Sequence, residues 1–191
     1  MLDQLLATPG VQERCGLGSP FGFLALHGGL EAGTAEIAQA AAVASNASIY
    51  AVVQPADMRW HVPSHQFDPL DSDLLVSFLE HVDVVVSVHG FGGLRGDDDR
   101  WITGLLGGSN RELAARLARA LRAALPGYVW IDDLDRIPAH LRGVHPDNPV
   151  NRPREGGVQI ELPPRVRKPG GDCAALVSAL AGVALGVSAD E

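Results

Sequence analysis

The sequence has few of the residues and segments that define several protein classes. Its only cysteines, Cys15 and Cys173, lie far apart and form neither a disulfide framework nor a CxxC metal motif. No apolar run approaches the roughly 20 residues of a transmembrane helix. The N-terminal residues lack the basic and apolar regions of a secretory signal. We therefore expect a cytoplasmic protein with reduced thiols and no membrane span.

Charge and missing motifs narrow the function further. The formal net charge of −8 argues against binding to nucleic acid or to an anionic membrane. No serine lies in a GxSxG elbow, and there is no GxxxxGK[ST] phosphate loop. These absences disfavour an α/β-hydrolase of the serine type and a P-loop nucleotidase.

Short apolar runs alternate with helical stretches along the chain. Such runs predict buried strands, and nearly all-apolar strands alternating with helices predict a mainly parallel sheet covered by helices. The length of 191 residues fits one domain over residues 1–191. The predicted strands cover residues 21–26, 48–53, 82–88, 101–106, 128–131 and 158–162, and the predicted helices cover residues 34–45, 71–81, 110–125 and 172–186.

Two histidines each follow a predicted strand by one residue, His27 after the first and His89 after the strand 82–88. Parallel strands end at the same rim of a sheet, where ligands bind in such folds. Gly28 and Gly29 permit a sharp turn that brings Glu31 back towards His27. Two imidazoles and a carboxylate form a typical catalytic zinc site with room for a water. A histidine taken alone is more often a structural residue held by a hydrogen bond, and it is the pair at two strand ends that favours a metal site.

Glu161 is a candidate general base. It alternates with Gln159 in a predicted strand, so both side chains face the same side. A buried glutamate beside a metal-bound water could move a proton to a leaving amine; the alternative is a solvent-facing strand residue. Asn151, Arg152 and Arg165 lie near this strand in sequence and could bind a substrate carboxylate, or could belong to a solvated basic turn.

Four further histidines lie in proline-rich segments. His61 and His65 have a spacing compatible with two metal ligands, but Pro63 between them disfavours the helix that would align them. His140 and His145 lie in a similar segment. We do not predict these four residues as metal ligands.

Taken together, five segments resemble the phage-type poly-gamma-glutamate hydrolase family over roughly residues 20–168. They are HGGLEAGTAE at 27–36, VSVHG at 86–90, GGSN at 107–110, HPDNPVNR at 145–152 and GGVQIELP at 156–163. The resemblance implies a zinc carboxypeptidase-like fold with a mixed sheet between helices in three layers. It also implies a zinc-dependent hydrolase of the gamma-linked amide bonds of polyglutamate.

The resemblance assigns His27, Glu31 and His89 as zinc ligands and Glu161 as the catalytic carboxylate, with the arginines as candidate substrate contacts. The family pattern has one more residue between the first histidine and the glutamate, which leaves Glu36 as an alternative ligand. A helix beginning near Thr34 would direct Glu36 away from the rim, so Glu31 is the preferred ligand.

The sequence therefore supports three hypotheses. The preferred one is a zinc hydrolase acting on gamma-glutamyl bonds, with an acidic peptide as substrate. The second keeps the zinc but replaces the substrate with another acidic N-acyl or cell-wall peptide. The third is a metal-free binding or structural domain with the same fold.

Overall fold

The computed structural model describes residues 1–92 and 101–189. All ten predicted elements are present, with bounds shifted by a few residues. The helices are α1 (Leu2–Leu6), α2 (Thr34–Ser45), α3 (Asp73–His81), α4 (Arg111–Ala124) and α5 (Gly171–Ala189). The strands are β1 (Gln12–Gly16), β2 (Ser19–Gly28), β3 (Ala47–Val53), β4 (Val84–Gly90), β5 (Thr103–Leu106), β6 (Val129–Ile131) and β7 (Gly157–Leu162).

The strands form one seven-stranded sheet in the order β1-β3-β2-β4-β7-β5-β6. The pairs β2–β3, β2–β4, β4–β7 and β5–β6 are parallel, whereas β1–β3 and β5–β7 are antiparallel. The sheet is therefore mixed and mainly parallel, as predicted. The unpredicted elements include the five-residue helix α1, several 3-10 turns and the edge strand β1, whose residues are only intermediate or exposed.

Helices cover both faces of the sheet and complete three layers. Residues of α2, α4 and α5 pack in one core cluster with Phe21 and Phe23 of β2. Residues of α1 and α3 pack in a second cluster with Leu24 and Leu26. Because strand side chains alternate, β2 supplies apolar groups to both layers, which explains its continuous apolar sequence.

The carboxyl ends of β2, β4 and β7 lie side by side, and this arrangement creates the site. The β4–β7 ladder extends to Gly90, so His89 lies inside its strand, directly opposite Glu161. His27 likewise lies within β2, because Gly28 still pairs with β3. The prediction that each histidine follows its strand was wrong, because pairing with a parallel neighbour extends both strands one residue past the histidine. The predicted shared rim is confirmed.

Among the described helices, none combines the length and the apolar character that a membrane crossing would require.

Candidate metal centre

A tight turn after β2 brings Glu31 next to His27. The Glu31 backbone N–H donates to the His27 carbonyl at 2.8 Å, as in one turn of an α-helix. Gly29 has a φ of 77°, and a Cβ there would lie 2.0 Å from the Gln54 backbone oxygen. Only glycine fits this position. A single helix-like turn, which does not continue into a helix, thus accommodates the short spacing between His27 and Glu31.

Three side chains converge at the ends of β2 and β4. The Nδ1 atoms of His27 and His89 are 3.2 Å apart. Glu31 Oε1 lies 3.2 Å from His27 Nδ1, and its Oε2 lies 3.5 Å from His89 Nδ1. These residues form a group of three potential metal ligands within the described part of the chain.

Hydrogen bonds fix the outer nitrogen of each imidazole. His27 Nε2 donates to the Val62 carbonyl at 2.8 Å, which leaves the Nδ1 lone pair directed at the group. His89 Nε2 lies 2.9 Å from Ser87 Oγ, which can accept its proton in the same way. Such partners set the tautomer and the ring orientation that metal ligation needs.

The electrostatics keep Glu31 ionised. Burial favours its neutral form, but the adjacent rings of His27 and His89 outweigh burial and hold the pKa of Glu31 far below its usual value. Its Oε2 also accepts the Gly90 backbone N–H at 2.9 Å. Burial likewise lowers the pKa of His89, but the hydrogen bond and charge of Glu31 outweigh it and raise that pKa overall.

The spacing of this group fits a tetrahedral ion. Two ligand atoms that each lie about 2.0–2.1 Å from a tetrahedral zinc are about 3.3 Å apart. The Nδ1 atoms of the two histidines, 3.2 Å apart, match this value, and each Nδ1 has one Glu31 oxygen at a similar distance, Oε1 at 3.2 Å from His27 and Oε2 at 3.5 Å from His89. Nitrogen and carboxylate donors are those that zinc takes in catalytic sites. The residues therefore fit zinc in both chemistry and spacing.

Glu161 lies beside the group on β7 and is only 4% exposed. Gln159 Nε2 donates to Glu161 Oε1 at 2.8 Å, and Asn148 Nδ2 donates to Gln159 Oε1 at 2.9 Å. Burial raises the pKa of Glu161, although the neighbouring His89 partly opposes this shift. Gln159 and Glu161 share one face of the strand, as their alternation predicted. An oriented carboxylate with a raised pKa suits proton transfer.

These residues line an open cleft of about 730 Å³. At the strand ends, four of these residues form what we call the floor: His27, His89, Glu31 and Glu161. The wall comes from two loops, residues 61–65 and 139–148, and it includes His61, His65, His140 and His145. The proline-rich segments that lacked a sequence period thus meet at one site.

The other predicted residues lie in different places. Glu36 is exposed on α2 and lines a separate cavity between α2 and α5, so it does not join the histidines. Arg152 pairs with Asp147 at 3.4 Å, and Arg165 lies 3.7 Å from Asp172. Neither arginine is among the described residues that line the cleft.

Asn151 shapes the wall without lining it. Its Nδ2 donates to the carbonyls of Gly143 and His145 at 2.7 and 2.9 Å, and its Oδ1 accepts from Ser109 N. It therefore holds the loop that carries His145.

The prediction missed the partners that orient the floor, namely Ser87, the Val62 carbonyl and Asn148. Ser87 could have been found, because it precedes His89 by two residues and shares its face of the strand. The other two come from distant loops, and no local pattern marks them.

Two solved structures are similar to this chain in fold. A bacteriophage poly-gamma-glutamate hydrolase superposes with a TM-score of 0.79 at 23% identity, covering 100% of this chain and 96% of that one. A zinc-free structure of YNDL superposes with a TM-score of 0.65 at 26% identity, covering 83% of this chain and 74% of that one. No curated protein sequence matches significantly.

The sequence profile of a family supplies the decisive comparison. Residues 4–169 match the family described as poly-gamma-glutamate hydrolase, and this range includes the histidine–glutamate group and Glu161. The match spans most of the chain. By this match and its fold, the chain belongs to the poly-gamma-glutamate hydrolase family of hydrolases.

Proposed function

We propose that the protein is a zinc-dependent hydrolase that cleaves gamma-glutamyl amide bonds, with zinc held by His27, Glu31 and His89. The observation that carries the proposal is the convergence of the three side chains at the strand ends, where one ligand atom from each lies within 4.8 Å of the others. Family membership supports the type of bond cleaved.

Each floor residue has a defined task in this proposal. His27 and His89 offer Nδ1 lone pairs, and Glu31 offers one negative charge, so that a bound divalent ion keeps a net positive charge. When bound, zinc would polarise the scissile carbonyl and acidify a water molecule. Val62 and Ser87 keep both rings in the required orientation.

Glu161 has the role of general base and then general acid. Its carboxylate takes a proton from the attacking water and passes it to the nitrogen of the leaving amine. Its place directly opposite His89 in the β4–β7 ladder supports this role, because it adjoins the proposed ligands without joining them. Gln159 positions the carboxylate through its amide N–H.

Asn151 enters the proposal as a residue that supports the cleft wall. Arg152 and Arg165 are bound to carboxylates outside the cleft, so we do not assign the substrate contact to them.

A substrate panel tests the proposal. Zinc-loaded protein is incubated with poly-gamma-glutamate, an N-acyl acidic amino acid and a cell-wall peptide, and released amines are measured. We expect cleavage of the gamma-linked polymer, loss of cleavage after chelation, and recovery when zinc is added.

Two results would favour the rival functions. Cleavage of only the N-acyl or cell-wall substrate would support a zinc hydrolase that acts on a substrate other than poly-gamma-glutamate. A protein that binds no zinc and cleaves none of the three substrates would be a non-catalytic domain.

A further inference from the structure

Histidines are concentrated in the cleft. Six of the seven histidines in the sequence line it; the seventh, His81, bonds to the Gly18 carbonyl elsewhere. Two of the six belong to the proposed metal centre, and His61 packs on His27 with ring centroids 4.7 Å apart. The remaining three, His65, His140 and His145, have no part in the chemistry proposed above.

The charge of the cleft is unusual for so acidic a chain. The sequence has 23 acidic residues, yet Glu31 and Glu161 are the only carboxylates among the described residues of the cleft lining. The described cleft lining carries no arginine or lysine side chain, and four of its residues outside the floor are histidines.

His65 and His145 form a pair across the two wall loops. Their ring centroids lie 4.8 Å apart, with an angle of 34° between the ring planes. The Asp147 backbone N–H donates to His145 Nδ1 at 3.1 Å, so the ring proton of neutral His145 is on Nε2. Within the described residues, this N–H and both nitrogens of His65 have no hydrogen-bond partner.

Other charged groups near the pair compensate one another. Asp147 Oδ2 lies 3.8 Å from His145 Nδ1, and Arg152 binds the other oxygen of this carboxylate. The side chain of His145 is about half exposed, at 52%. The pair thus lines the cleft with ring nitrogens that have no hydrogen-bond partner among the described residues.

We propose that His65 and His145 together bind a carboxylate of the substrate, next to the bond that is cleaved. The inference rests on the proposed function and names the contact that holds an acidic chain in the cleft. Two adjacent imidazole N–H groups can donate to both oxygens of one carboxylate. They also offset, close to the site, the repulsion between an anionic substrate and a protein of net charge −8.

Binding without turnover tests this proposal. Zinc-loaded Glu161→Gln protein is titrated calorimetrically with gamma-linked triglutamate and with the same peptide whose free side carboxylates are amidated. Adding His65→Gln and His145→Gln together should weaken binding of the acid about tenfold, as expected for lost hydrogen bonds to a charged group. Binding of the amidated peptide should stay unchanged.

A matched variant controls for loss of a histidine. His81→Gln removes the histidine outside the cleft and should leave both affinities as they are. His65→Gln alone, at an exposed position without a hydrogen bond, should weaken binding of the acid by a smaller factor.

Three results would overturn the proposal. They are unchanged binding of the acid in the double variant, an equal loss for the acid and the amidated peptide, and a second zinc equivalent that disappears with the two histidines. Because binding is measured, a protein that failed to hydrolyse gamma-glutamyl bonds would refute the proposed function and still test the histidine pair.

Discussion

The floor and the wall of the cleft are built in opposite ways. His27 and His89 are each 2% exposed, and Glu161 is 4% exposed, and all three lie on strands with hydrogen-bonded side chains. His65, His140 and His145 are exposed and lie in the two segments that connect the main elements, His65 and His140 each within a single 3-10 turn.

This contrast separates bond breaking from substrate holding. Metal ligation and proton transfer require atoms fixed to within fractions of an ångström, which strands and buried hydrogen bonds provide. Holding an acidic chain requires only donors within reach of a carboxylate, and loop residues can adapt to it. Floor variants should therefore abolish the reaction or the metal site, while wall variants should weaken substrate binding.

The largest expected effect is on the reaction itself. Glu161→Gln keeps the size and the contact with Gln159 but removes the base, so kcat should fall about 10²- to 10⁴-fold. Zinc content should be unchanged, because Glu161 is not a proposed ligand. Glu155→Gln, at an exposed residue, is the control, and a near-normal kcat in Glu161→Gln would contradict the role.

The free energy of unfolding tests the role of glycine in the turn between His27 and Glu31. Gly29→Ala forces a residue with a Cβ into positive φ against the Gln54 carbonyl, so the free energy of unfolding should fall by about 3 kcal/mol. Gly182 has no atom within 4 Å of an added Cβ and lies in α5. Gly182→Ala should therefore raise the free energy of unfolding by about 0.5–1 kcal/mol.

Chemical denaturation of both alanine variants gives the measurement. If Gly29→Ala were as stable as Gly182→Ala, the turn would not depend on glycine as described.

A smaller effect is expected from the residue that orients His89. Ser87→Ala removes the partner of the buried His89 Nε2 and should lower the affinity for zinc about 10- to 100-fold. Ser77→Ala, on the exposed side of α3, is the matched serine control. Competition with a chelator measures both affinities, and equal values for the two variants would show that Ser87 has no orienting role.

Much of the fold could be predicted because its strands are apolar runs. Strand β1 could not, since a polar edge segment with partly exposed residues carries no such signal. The order of the strands was also beyond prediction, because the position of β7 between β4 and β5 depends on pairing between distant segments. That position is what places Glu161 beside His89.

The site also has a part that the sequence could predict and a part that it could not. The floor residues could be predicted because strand ends of a parallel sheet share one rim, which fixes where His27 and His89 lie. The wall could not, because the proline-rich loops have no period from which side-chain directions follow. For the same reason, nothing in the sequence indicated that Arg152 and Arg165 would pair with Asp147 and Asp172 outside the cleft.

Zinc titration of metal-free protein tests the central claim most directly. Calorimetry should give one high-affinity zinc per chain for the unaltered protein and for Glu36→Gln. The high-affinity site should be lost in His27→Ala, in Glu31→Gln and in His89→Ala, each with a far-ultraviolet circular dichroism spectrum unchanged from the parent. Full zinc affinity in Glu31→Gln, or loss of the site in Glu36→Gln, would contradict the assignment of the three ligands.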